Sequence, residues 1–190
     1  MDAPSRPMRA DARRNYERII ACARDAFAEH GTDAPLDDIA RRAGVGAGTL
    51  YRHFPHRTAL MEAVYRANIE ALAARAEQLR RSEPPLVAFE AWFGELVTYI
   101  LERHGLATTL KAAIDRTSET FSACSTLLGE AASSVLVPVQ EAGIVRPEVG
   151  PRDILRLGHG IGAGCAAAAE SAPLLTEITL AGLRVPPPAS

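Results

Sequence analysis

The sequence predicts an all-α fold of about nine helices. Two features of the chain say so. Alanine is abundant while only 5% of the 190 residues are aromatic, a balance that favours helix over sheet. Apolar residues fall at helical spacings, with no in-out alternation of the kind a half-buried strand shows, and no internal repeat. Glycine and proline mark the breaks between helices.

Residues 1–9 read as a disordered arm whose Arg6 and Arg9 are solvated. The first helix is expected over 11–29, with Tyr16, Ile19, Ile20, Ala23 and Phe27 on one face. His30 and Gly31 end it. The second starts near Leu36, where Pro35 is tolerated and Asp37 and Asp38 suit the positive end of the helix.

The third helix is the most informative. Gly44 closes the preceding helix in the left-handed conformation, Val45 plugs the turn, and Gly46 caps the next helix. A short helix over 47–54 then turns Leu50 and Phe54 inward, four residues apart. Ala47, Gly48, Thr49, Tyr51, Arg52 and His53 are left around the outer side, and Pro55 ends the helix. Small residues at the start permit close approach to a groove, and the hydroxyl, phenol, guanidinium and imidazole that follow can donate to phosphates. This is the anatomy of a DNA-reading helix-turn-helix.

A fourth helix over 57–81, about 37 Å long at 1.5 Å per residue, carries the chain out of this first domain. Pro84 and Pro85 break the pattern before a fifth helix over 86–104. A sixth, short helix runs through Leu106, Leu110 and Ile114. The seventh covers 119–141 with a bend near Pro138. The eighth covers 152–170 and the ninth 174–184. The domains are then 1–56, 57–185 and a disordered tail, 186–190.

Composition bounds the function. Residues 1–66 carry 11 arginines against 9 acids, a balance of +2, and residues 67–190 a balance of −4. A mildly basic head on an acidic body fits a protein that meets DNA at one end. Lys111 is the sole lysine, a bias that a GC-rich genome explains. Cys22, Cys124 and Cys165 have no metal-like spacing, and their odd number argues against a disulfide framework. Buried reduced thiols are the expected state, with redox sensing at Cys124 or Cys165 the lesser reading.

Two glycine strings, 44–48 and 158–164, lack the preceding strand of a phosphate loop. The first belongs to the turn; the second suits a close helix crossing, in a dimer interface or beside a pocket. His53 and His56 flank Pro55 with no third ligand, so no metal is expected. No catalytic constellation or cofactor motif stands out, and the chain is read as not an enzyme. No stretch is long and apolar enough for a signal or a membrane span, so a cytoplasmic location is expected. On the fifth helix Phe89, Trp92, Phe93, Leu96 and Tyr99 form an aromatic and apolar stripe that is either core or a ligand wall.

Phe27 with Gly31, Ile39-Ala40 with Ala43-Gly44-Val45, Gly48 to Phe54, and Arg57 with Leu60 together resemble the N-terminal pattern of the TetR family of bacterial transcriptional regulators. More weakly, residues 86–105, 141–147 and 182–184 are similar to the ligand-binding half of the SbtR-like branch. The chain departs from many members at Gly46, where serine is common, and at Ala47, where lysine or another polar residue is common.

The resemblance implies a homodimeric repressor on a near-palindromic operator of double-stranded DNA, released by a small apolar or aromatic effector. It implies DNA contacts at Arg41, Ala47, Gly48, Thr49, Tyr51, Arg52, His53 and Arg57. It favours the ligand-wall reading of Phe89, Trp92, Phe93, Leu96 and Tyr99, joined by Thr109, Phe121, Cys124 and His159. The last two helices would pair across a two-fold axis through Ile154, Leu155, Ile161, Leu174, Leu180 and Leu183. The alternatives are a regulator of the same fold without an effector, and a helical binding protein or enzyme whose reading head no longer works.

Overall fold

The computed structural model describes residues 5–102 and 119–186, and among these the fold is α-helical. Eight α-helices follow one another: α1 Ser5–His30, α2 Leu36–Arg42, α3 Ala47–His53, α4 Arg57–Ser82, α5 Pro85–Glu102, α6 Glu119–Glu141, α7 Pro151–Gly164 and α8 Ala172–Leu183. Short 3-10 turns at Gly31–Asp33 and Ala169–Ser171, and one isolated antiparallel bridge between Val145 and Arg184, complete the described elements. The sixth expected helix, around Leu110, lies outside the described residues, as do residues 1–4 and 187–190.

Three boundaries differ from expectation. α1 begins at Ser5, so most of the expected arm is helical. Pro7 falls in the first turn, where its missing N–H breaks no intrahelical bond. The helix expected over 152–170 stops at Gly164, with the Cys165 N–H on Ile161 O at 2.9 Å closing its last turn. Four glycines within it, each less favourable than alanine by about 0.8–1 kcal/mol, leave little propensity to propagate further. α6 runs without interruption through Pro138. That proline lies in the last turn, where only one backbone hydrogen bond is lost.

The described residues form two compact units, one of residues 5–67 and one of 68–102 with 119–186. The division falls inside α4, three turns later than the boundary expected after residue 56. In the first unit Ile19, Ala23 and Phe27 of α1, Ile39 of α2, Leu50 of α3, and Leu60 and Val64 of α4 are buried. In the second, α5 packs on α6, α7 and α8, and α7 packs on α6 and α8.

The glycine string of α7 sorts into two faces. A Cβ at Gly158 would stand 2.8 Å from Leu96 Cδ2, and one at Gly162 would stand 2.7 Å from the Ile100 Cβ. These two glycines let α5 and α7 cross closely within one chain. Gly160 and Gly164 face open space.

α6 is, by length and composition alone, long and apolar enough to cross a bilayer, which corrects the expectation that no segment is. Its Ala131, Ala132, Val135, Leu136 and Val139 are nevertheless buried in the second unit.

Candidate nucleic-acid interface

The reading head is built by a short helix that cannot stand alone. α3 has seven residues, fewer than the ~12–15 an isolated helix needs in water, so its position is set by what holds it. Gly44 has φ 65°, the left-handed turn that ends α2. The Val45 N–H reaches Ala40 O at 3.0 Å, while the Thr49 and Leu50 N–H groups share Gly46 O. Gly46 is extended at φ −71° and ψ 151°, a helix-capping backbone without a side chain to reinforce it. Leu50 and Phe54 are buried, anchoring one flank as their spacing predicted.

The opposite flank is open. Ala47, Gly48 and Arg52 are exposed, Tyr51 is 46% exposed, and Thr49 and His53 are half-buried. Gly46 and Gly48 have ordinary backbone angles and nothing within 4 Å of the position a Cβ would take. Among the described residues, no contact therefore requires glycine at either place.

Electrostatic ties fix α2 against α1. Arg42 reaches Glu29 and Asp38, both at 2.8 Å, and Arg41 also pairs with Asp38. The hydrogen bond from Arg41 is the main cause holding the Asp38 carboxyl below its ordinary range. The hydrogen bond that Arg42 donates to Glu29 raises its guanidinium above its ordinary range. Arg41 remains largely exposed despite its partner.

Arg57, also expected to meet DNA, is bonded inside the chain. Its Nη1 donates to Thr32 O and Ala34 O, each at 2.6 Å, bolting the start of α4 to the α1–α2 connection. Sequence reasoning missed this role because backbone carbonyls carry no side-chain signature. It placed Tyr16 on the inward face of α1 but not its contacts: the ring stacks on Phe54 with centroids 5.1 Å apart and meets His53 edge-on at 6.0 Å.

The second unit corrects the expected ligand wall. Trp92 and Phe93 are 0% exposed, and Phe89 and Leu96 are 1% exposed. The Trp92 Nε1–H donates to Leu72 O at 3.0 Å, which satisfies its one polar group internally. These four side chains are packed core. His159 is exposed on α7, Cys124 is buried, Tyr99 and Phe121 are half-buried, and Thr109 lies outside the described residues.

An open groove of about 790 Å³ lies elsewhere, between α5 and α8, with Gly94, Thr98, Thr176 and Leu180 in its wall. Its Glu90 pairs with Arg184 and its Glu95 with Arg75, both at 2.8 Å.

The expected pairing residues also divide. Ile154, Ile161 and Leu183 are buried within the chain and are not available to a partner, because they fill the core beneath α7 and α8. Leu155 and Leu180 are half-buried. Leu174 is 58% exposed, and the sequence did not single out Leu157, Leu175 and Ile178, which are exposed too.

Residues 19–64 match the profile described as bacterial regulatory proteins, tetR family, and residues 84–185 match that of the transcriptional regulator SbtR-like C-terminal domain. A TetR transcriptional regulator from Streptomyces coelicolor is 33% identical, over 92% of this chain and 99% of that one, with a TM-score of 0.77. A TetR transcription regulatory protein from Mycobacterium vanbaalenii is 32% identical, over 94% and 100%, also at 0.77. An HTH-type transcriptional regulator of Staphylococcus aureus is 34% identical over 82 residues, and that match spans 42% of each protein.

Proposed function

Since the chain belongs to the TetR family of helix-turn-helix transcriptional regulators, we propose that it is a homodimeric repressor which leaves its operator when a small molecule binds. The observation that carries the DNA half of this reading is the exposed flank of α3. Thr49, Tyr51 and Arg52 offer two hydroxyls and a guanidinium beside Gly46 and Gly48, whose lack of side chains relieves no contact among the described residues. Such a flank suits the major groove, with phosphate contacts setting register. Arg41 and His53 flank it, while Arg57 acts by fixing the loop before α2.

The homodimer is supported by α8, which carries apolar side chains on two opposite sides. Ala172 and Leu183 are buried on one side while Leu174, Leu175 and Ile178 stand exposed on the other. A helix of this kind is covered on both faces in the working molecule. A second copy supplies the cover with two-fold symmetry, placing two heads on half-sites roughly 34–36 Å apart or more. DNA binding of this kind belongs in the cytoplasm.

For the effector, Asn68 is the supporting observation. It is buried in α4, and its Nδ2 has no hydrogen-bond partner. A buried amide donor left unpaired costs about 1–3 kcal/mol, which an acceptor on a bound molecule would recover. The packed Trp92 core favours the second reading, a regulator of this fold without an effector.

A mobility-shift titration with DNA from upstream of its own gene tests the function. It is repeated with a panel of small apolar and aromatic compounds that also raise the melting temperature. Retarded DNA released by one of them supports the full proposal. Retarded DNA with no melting shift from any compound selects the second reading, and failure to bind that or any other duplex rejects both.

A further inference from the structure

We propose that Tyr16 is a positioning residue that latches the reading helix to α4. Two contacts, made by opposite ends of the side chain, carry this. The ring stacks on Phe54 at 5.1 Å and 29° between planes, and meets His53 edge-on at 6.0 Å, so the last residue of α3 and its C-cap lean on one ring. The hydroxyl accepts a hydrogen bond at 2.8 Å from Arg66 Nη2, fifty residues away on α4. Phe54 is itself tied to α3, its N–H donating to Leu50 O at 2.8 Å.

The consequence follows from the length of α3. Two turns of helix take their orientation from their seat, and Tyr16 forms the side of that seat nearest α4. Arg66 lies in the last turn of α4 that belongs to the head, since the compact unit ends at Ala67. A displacement of α4 therefore reaches α3 through the phenol as well as through the backbone. Arg57 grips the other end of the same stretch through Thr32 O and Ala34 O, so that α4 holds the head at two points nine residues apart.

The effect of the latch on DNA rests on the proposal that α3 contacts it, but the latch itself is measured in the free protein. Tyr16→Phe keeps the ring and removes the acceptor; Arg66→Leu removes the donor; Arg66→Lys supplies another. In the full chain, hydrogen exchange at the Phe54 amide is expected to quicken in Tyr16→Phe and Arg66→Leu, by about three- to tenfold each. The double variant gains no more than either single one, and Arg66→Lys restores slow exchange. The melting temperature stays close to that of the wild type.

On a labelled duplex from upstream of its own gene, fewer heads are correctly oriented, so apparent affinity falls by a similar factor. The slope of log affinity against log salt stays unchanged. If the exchange effects of the two variants multiply independently, or neither variant quickens exchange, the latch is overturned. A slope reduced by about one unit in Arg66→Leu overturns it as well, because Arg66 would then be a phosphate contact. If the wild type binds no DNA, it is the reading of α3 that fails, while the exchange measurement still decides the latch.

Discussion

Gly48 illustrates how a single residue separates folding from function. Its backbone is ordinary and nothing stands near its α-carbon, so alanine should stabilise α3 by up to about 1 kcal/mol. The added methyl projects from the flank proposed to face the duplex. Gly48→Ala is expected to raise the melting temperature by a few degrees while weakening DNA binding, checked by calorimetry and by anisotropy on one sample.

Asp38 supplies a pH-dependent counterpart. Hydrogen bonding from Arg41, opposed by burial and aided by the charge of Arg42, holds its folded pKa below the ordinary 3.8. Its contribution is therefore complete above that value and is lost as pH falls through the lower, folded one. Melting curves between pH 6 and pH 2, on the order of one per half unit, should show Asp38→Asn losing less stability on acidification than the wild type. Residue roles set by side-chain type and local spacing were legible in the sequence: Gly44 in its left-handed turn, and Leu50 with Phe54 inward. Roles set by remote backbone, such as the carbonyls that hold Arg57, were not.

At the scale of elements, the glycines of α7 were legible as a close crossing but not as the crossing of a particular pair. Periodicity shows a helix's small face and is silent on which neighbour fills it. The structure pairs Gly158 and Gly162 with Leu96 and Ile100 of α5, inside one chain. Gly162→Ala should therefore destabilise the protein by about 1–3 kcal/mol, overpacking outweighing the gain in helix propensity. Gly94→Ala, in open space on α5, should stabilise it by up to about 1 kcal/mol. Urea titrations of the two variants would show midpoints moving in opposite directions; a shared direction would place the crossing elsewhere.

The stripe on α5 failed as a ligand wall for a related reason. An aromatic row at helical spacing looks the same facing a cavity or a core, and only the burial of Trp92 with its hydrogen bond to Leu72 O decides. The ends of α1 and α7 were misjudged because tolerance of Pro7 in a first turn and accumulated glycine penalties are both quantitative matters.

At the scale of the whole molecule, the fold class and the order of helices followed from patterning, since apolar faces recur throughout the described chain. The residues of the proposed pairing surface did not. Ile154 and Ile161 share helical spacing with any apolar face, and the core claimed them first. The large apolar side chains that stay exposed on α8 are Leu174, Leu175 and Ile178. Replacing Leu174 and Ile178 together by glutamate is expected to halve the molar mass seen by light scattering, with helical content kept. A full-sized species would show that pairing uses another face. A single Ile161→Glu, by contrast, places a charge in the core and should unfold the second unit.

The most direct test of the central claim is the salt dependence of binding to DNA from upstream of the chain's own gene. The wild type is compared with a variant carrying Thr49→Ala, Tyr51→Ala and Arg52→Ala on the exposed flank of α3. With folding intact by circular dichroism, the account predicts affinity lower by tenfold or more, and a log–log salt slope smaller by about one unit for the lost guanidinium. Equal affinity and equal slope would contradict it, because the duplex would then be held by some other surface.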